Sequence, residues 1–452
     1  MQNAALSILL LASLSAAAFA QPAAPAKVET LHTGPDVNAV SSWIDADTGH
    51  RVYRLSTEPG SGNLYFHYNA YSPDGKKLVF NSPAGIMAAD LSTMKSELIV
   101  PGRFTAMETS RTSNEVYYKA GPNIMAADLT TKKTRILTAN TQQVTCINCD
   151  GTLLAGTMRD QPDPDGNDKA AKPDAIPSTD QVSRMFPGKT KDQISPQNIL
   201  SAEKENRLAG QLKNIVTATN PQCLFTQNIK TGEVKKFGYA YAWLNHLQFS
   251  PTDPNMLMFC HEGTWHETNR VWTINVADKK PVAVAMHQRG VDLEIWGHEW
   301  WAPDGKSVGF DLQTPRSVDF WIANVPLVKD NSGNPSPGKE IKYHLDKNWW
   351  GIHFAMNKDG TLYASDGGDP AQVAFAPDGQ WINLLRVKPD GTLDREKIVN
   401  MAEHNYVTPA SQPGNTGVEP NVTFTPDGKY VVFCGNFSGA KQVYAVEVAK
   451  TP

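Results

Sequence analysis

Tyr71-Ser-Pro-Asp-Gly-Lys-Lys-Leu-Val-Phe80 reads as a tight turn feeding a buried strand. Pro73 suits the first central position of a turn, Asp74 and Gly75 supply the rest of its chemistry, and Leu78 to Phe80 form a short apolar run of strand type. The stretch recurs along the chain. With Ser72 as the reference position, equivalents stand at Ser110, Asn148, Ser250, Ala302, Asn357 and Thr425, which makes seven units. Ser110 opens a degenerate copy, and Ser250 opens the variant Ser-Pro-Thr-Asp-Pro.

A second signal follows each turn. Met87-Ala-Ala-Asp-Leu, Met125-Ala-Ala-Asp-Leu, Trp272-Thr-Ile-Asn, Trp321-Ile-Ala-Asn and their counterparts each open an outer hairpin. An eighth such segment, Trp43 to Leu55, precedes the first turn. Four strands per unit, with one surplus segment at the N-terminal side, predict an all-β, seven-bladed β-propeller. Its ring is closed by an N-terminal strand that completes the last blade and removes an exposed edge.

The spacing breaks once. Ser72, Ser110 and Asn148 stand 38 residues apart, whereas about 100 separate Asn148 from Ser250. Residues 159–216 therefore read as an insertion in the third blade: a Pro-, Asp-, Lys- and Gly-rich loop, then a helical stretch from 196 with Ser201 as its N-cap. Such insertions at a blade rim either shape a binding mouth or form a plain surface loop.

Residues 1–20 read as an export signal, with an apolar run from Leu6 to Ala18 and the cleavage pattern Ala18-Phe19-Ala20. The run is too short to span a bilayer, so no membrane span is expected, and the expected location is periplasmic or secreted. Residues 21–41 read as a flexible leader, and 42–452 as the propeller. The net charge of −4 gives no ground for nucleic-acid binding. Of five cysteines, Cys146 and Cys149 form C-x-x-C at a strand-to-turn position, where a local disulfide or buried thiols are expected rather than a redox centre.

The repeat also locates a site. Four residues before each reference position stand Tyr68, Ala106, Val144, His246, His298, His353 and Asn421. Pseudo-rotation places these residues around one region, and three of the chain's 11 histidines fall there in adjacent blades. Singly, each histidine suits a hydrogen-bonded residue closing the inner end of its blade. Together they suit a divalent metal, or a general base. His261 follows a strand and is expected to bind substrate, as are Tyr68 and Asn421. Arg270 suits a substrate carboxylate or a structural salt bridge. Glu262 and Glu299 each follow a candidate histidine; neighbours on a strand point oppositely, so they read as structural partners.

The residues from His246-Leu-Gln-Phe-Ser-Pro through Phe259-Cys-His-Glu-Gly-Thr-Trp-His, Arg270-Val-Trp-Thr-Ile, Gly297-His-Glu-Trp-Trp-Ala-Pro-Asp-Gly and His353-Phe resemble the oligogalacturonate lyases, pectin-degrading propeller enzymes. The resemblance is strong from about 240 to 365 and rests on the repeat elsewhere. It implies β-elimination on a uronate oligosaccharide, with His246 at the base position. It also implies Mn2+, held by the histidine of the Gly-His-Glu motif and by a Gln-x-x-His-x-His motif. His298 and His353 match two of those ligands, whereas Trp350 and Ala355 stand where the glutamine and the second histidine belong. The arginine that the family carries before this blade's outer hairpin has no counterpart around Asn220 to Cys223. Two alternatives stay open: a non-catalytic periplasmic binding propeller, and a carbohydrate-active enzyme for a different uronate. A hydrolase is not indicated, because Gly435-Asn-Phe-Ser-Gly lacks the spacing of a nucleophile elbow.

Overall fold

A computed structural model describes residues 28–139, 143–160, 180–215, 221–290, 293–314, 319–368, 374–406 and 417–450. The proposed export signal lies outside them. Seven sheets, antiparallel apart from one short added strand in the last, follow one another around a ring. Blade one consists of Gly62–Asn63, Lys77–Ser82, Gly85–Asp90 and Lys95–Pro101, in that order from the axis outward. Among the described residues no helix is long and apolar enough to cross a membrane.

The turn repeat has a definite mechanics. Ser72 Oγ accepts the N–H of Lys77 at 2.9 Å and donates to Asp74 at 2.7 Å, while Gly75 N–H closes the turn on the Ser72 carbonyl at 2.8 Å. Gly75 adopts φ +71°, which favours glycine. Thr425 and Asn148 repeat the side-chain bond to the residue five on, Tyr430 at 3.1 Å and Leu153 at 2.9 Å. A side-chain oxygen that pins the start of the next strand explains why Ser, Thr and Asn recur at this position.

Closure follows the expected route and goes further. In blade seven the C-terminal strands Thr423–Phe424, Tyr430–Gly435 and Gln442–Lys450 form the inner three. His50–Arg54 pairs with the last of them, with Val52 opposite Val446, and Ser42–Asp45 pairs outside that. Two N-terminal strands therefore close the ring, and Trp43 packs edge-on to Tyr444 and Phe437. The leader expected to be flexible up to residue 41 is partly built in. Thr30–Leu31 adds a parallel strand against Ile44 and Asp45, and Val37 is buried.

The insertion is ordered where it is described. Among the described residues it holds two α-helices, Gln181–Met185 and Pro196–Ile215, with a short 3-10 helix, Lys191–Gln193, between them. Ser201 is not the N-cap of the second but a buried residue within it. Ser195 caps instead: its Oγ accepts the Asn198 N–H at 3.3 Å, and Pro196 takes the first helical position, where a missing N–H costs nothing. All five cysteines are free thiols, and Cys146, Cys223, Cys260 and Cys434 are buried.

Candidate active site

The inner strands break register at one common place. In blade four the slip falls between Asn245 and Gln248, in blade five between Gly297 and Trp300. Blades two and three slip at the equivalent positions, between Ala106 and Glu108 and between Val144 and Cys146. At the bulge His246 and His298 each have φ 48°, and Asn421 in blade seven has φ 54°. Left-handed backbone is costly for most side chains, and His and Asn are enriched among those that adopt it. A bulge re-aims its side chain out of the sheet's alternation, so the repeated offset is a device for pointing residues toward the axis.

His246 and His298 line a cavity of about 740 Å³ together with Tyr65, Tyr68, Arg270 and Asp311. His246 Nδ1 lies 3.2 Å from Glu299 Oε1, on the next blade. Glu299 is fully buried; burial alone would raise its carboxyl, but the hydrogen bond from His246 and the nearby Arg270 charge hold it low. An ionised Glu299 fixes the imidazole proton on Nδ1 and leaves the Nε2 lone pair as the acceptor. Glu299→Gln offers an amide that is donor or acceptor and so releases the tautomer. It is expected to lower turnover on the order of 10²-fold, within the range of general-base contributions, with the fold unchanged by circular dichroism.

Arg270 stands in the same wall and holds Glu262 with both arms, at 3.0 Å each. Burial works against its charge, yet Cys260, Glu262 and Glu299 more than offset that and raise its pKa. Glu262 is correspondingly held low: burial raises it, but the Arg270 charge beside it prevails. The salt-bridge reading of Arg270 and the partner reading of Glu262 and Glu299 describe this arrangement. Gly297 packs against the guanidinium, where a Cβ would fall 3.5 Å from Nε.

Three expected site residues are placed differently. His261 does not line the cavity, because Glu262 does and strand neighbours point oppositely. Asn421 does not line it either: its side chain accepts the Phe66 N–H at 3.2 Å and donates to the Glu419 carbonyl at 3.0 Å. His353 is buried behind the wall, 5.1 Å from His298 ring to ring, with Nδ1 2.8 Å from Asp366. Burial disfavours its charge, but Asp366 and Glu419 outweigh that and raise its pKa.

The donor set expected for manganese is incomplete. His298 and His353 each tie Nδ1 to a carboxylate, Asp311 and Asp366 at 2.8 Å, which leaves Nε2 available in the manner of metal-ligating histidines. Trp350 is buried and donates its indole N–H to the Leu345 carbonyl, and Ala355 has no donor atom. Among the described residues no group of three His, Cys, Asp or Glu side chains is placed to hold an ion. Two imidazoles alone do not fit the expected four-donor shell.

Part of the site was not predicted. After the short inner strand of blade one, Tyr65 to Tyr68 form a turn closed by Tyr68 N–H on the Tyr65 carbonyl at 2.9 Å. The turn leans across the axis. Tyr65 lies 5.7 Å from His246 and 5.5 Å from His353, and His67 lies 5.8 Å from His246, ring to ring. Burial, then Glu419 and Glu299, raise the Tyr65 phenol well above 10, so it stays protonated. Burial holds His67 well below 6.5, so it stays neutral. Four consecutive ring-bearing residues where a strand should run, Tyr65-Phe-His-Tyr68, were the available signal.

The chain is similar to several known proteins. It is 28% identical over 238 residues to an oligogalacturonate lyase of Dickeya dadantii, covering 51% of this chain and 56% of that protein. An oligogalacturonide lyase of Pectobacterium atrosepticum is also 28% identical over 239 residues, with the same coverage. The chain thus spans about half the length of the curated relatives it matches. Among solved structures, an oligogalacturonate lyase in complex with manganese superposes with a TM-score of 0.64 at 20% identity, over 90% of this chain and 96% of that one. One from Vibrio parahaemolyticus gives 0.65 at 19% identity over the same shares. These two carry the fold, a propeller throughout. The family model for oligogalacturonate lyase matches residues 210–451, more than half of the sequence, and the chain belongs to that family.

Proposed function

We propose that this protein is a lyase that cleaves oligogalacturonides by β-elimination, and that it does so with its own side chains. The observation that carries the reading is the His246–Glu299 pair: a solvent-reachable imidazole held by a buried carboxylate, in a cavity that Arg270 also lines. His246 Nε2 takes the proton from the carbon α to the uronate carboxylate. That electron pair forms the C=C bond as the bond to the 4-linked oxygen breaks, and Tyr65 supplies a proton to the departing oxygen. Arg270 places positive charge near the carboxylate as it gains enolate character. His298 lines the same cavity.

A purified protein is expected to release an unsaturated uronate, read by its ultraviolet absorbance, from di- and trigalacturonate. No absorbance from any oligogalacturonide would reject the reading and favour a binding propeller. Manganese is the weakest-held of the common first-row divalent ions, and two of its four expected donors are replaced. Dialysed protein is therefore expected to hold far less than one manganese per chain, and turnover to change by no more than about two-fold with added manganese or with chelator. A chelator that abolishes turnover would show that other groups complete the shell. Export to the periplasm or medium belongs to the same proposal, because that is where pectin fragments arrive.

A further inference from the structure

The insertion helix Pro196–Ile215 folds back over the propeller mouth and presents one face to the cavity. Lys204, Arg207, Leu208 and Gln211 stand at i, i+3, i+4 and i+7, the spacing of a single helical stripe, and all four line the cavity. The adjoining stripe, Ser201, Glu205, Ala209 and Leu212, is buried.

The helix is fixed in place by unusual means. Glu205 is fully buried and bonds His266, itself 5% exposed, in the blade-four loop that also carries the cavity residue Trp265. Glu267 in the same loop pairs with Arg184 of the preceding helix, and the Gln181 N–H bonds Asn206 at 2.7 Å. A buried carboxylate is expensive unless it is paired, so a pair at this point positions the helix more than it stabilises the fold.

We propose that Lys204 and Arg207 form a second carboxylate subsite. It would take the uronate next to the one held at His246, with Trp265 as the flat apolar surface under its sugar ring. The inference rests on the lyase reading above. Cations from two elements of one cavity, Arg270 in the blade-four wall and Lys204 with Arg207 on the insertion helix, suit a ligand that carries a carboxylate on each successive residue. At about 740 Å³ the cavity holds more than a single sugar. The family match begins at residue 210, so both helix cations lie outside it. His266 and Glu205 act as positioning residues.

The test compares full-length wild type with Lys204→Ala, Arg207→Ala and the double variant, on di- and trigalacturonate. Direct binding of trigalacturonate is measured with each change in a His246→Ala background. The double variant is expected to weaken binding and raise KM about 10- to 100-fold for the dimer and the trimer alike, since both place a uronate there, with a smaller effect on kcat. His266→Ala should reproduce the KM-weighted loss through the displaced helix. Wild type that cleaves both oligomers while the Lys204 and Arg207 variants keep its KM and affinity would overturn the subsite and leave the lyase reading intact. Wild type that neither binds nor cleaves would overturn both. Because Arg207 is exposed, its variant is expected to fold and to decide the matter even where His266→Ala does not.

Discussion

His246→Ala is expected to lower turnover on oligogalacturonides by about 10² to 10⁴-fold, the span that a positioned general base contributes. The loss should fall on kcat, because the imidazole takes a proton only in the transition state, and KM should move little. Glu299 becomes a buried carboxylate without its imidazole partner, though Arg270 still faces it, so stability should fall modestly alongside. Tyr65→Phe removes only the proton offered to the departing oxygen and is expected to lose less, about 10- to 100-fold. Steady-state kinetics on digalacturonate, with denaturation curves for each variant, separate these effects. Turnover that survives His246→Ala would transfer the base role elsewhere, with the neutral His67 as the next candidate in the cavity wall.

The second large effect is on stability. Arg270→Ala leaves Glu262 and Glu299 buried near each other without their common counter-charge, and removing one partner of a buried pair costs about 3–5 kcal/mol. The defect should depend on pH in a definite direction. In the wild type, Arg270 helps hold Glu262 below its ordinary value, which adds stability above about 4.5 and loses it as the pH falls. Without Arg270, burial raises the Glu262 carboxyl instead. The penalty is then largest near neutrality and shrinks in acid, where the group accepts a proton. Denaturant titrations at several pH values check this. Arg270→Met combined with Glu262→Gln should recover much of the loss, because the two changes remove both sides of the pair. A single variant equal in stability to wild type would mean the fork contributes little. Arg270→Lys is not expected to rescue, since one ammonium cannot hold both Glu262 oxygens in the observed manner.

The sequence disclosed the ring and the bearing of the site, because both are written in local repeats. The Ser-Pro-Asp-Gly turns count the blades, and the shared offset of His246, His298 and His353 marks the inner ends. It did not disclose which side of the wall each residue occupies. His353 shares the histidine register but lacks the left-handed bulge of His246 and His298, and it ends buried against Asp366. His261 and Glu262 differ by one residue, and only the strand's facing decides that Glu262 reaches the cavity. The carboxylates that tune the histidines come from other strands: Asp311 and Asp366 from the next strand of the same blade, Glu299 from the neighbouring blade. Those pairings are set by register rather than by sequence spacing. The helix of the insertion was legible as a helix, but its return to the mouth depends on Glu205 meeting His266, 61 residues away.

The closure of blade seven carries a consequence in time. Its outer strands, Ser42–Asp45 and His50–Arg54, are among the earliest parts of the chain, and Gln442–Lys450 is among the last. Until they meet, six complete blades form an open arc with uncovered end faces, and blade seven keeps an unpaired outer edge; such long-range pairing is slow. The same event brings Tyr65 of blade one and Glu419 of blade seven up to His353, so the reaction centre is assembled by the join itself. In refolding, catalysis should therefore return after the bulk of the sheet signal, as a clock for the moment the two ends clasp.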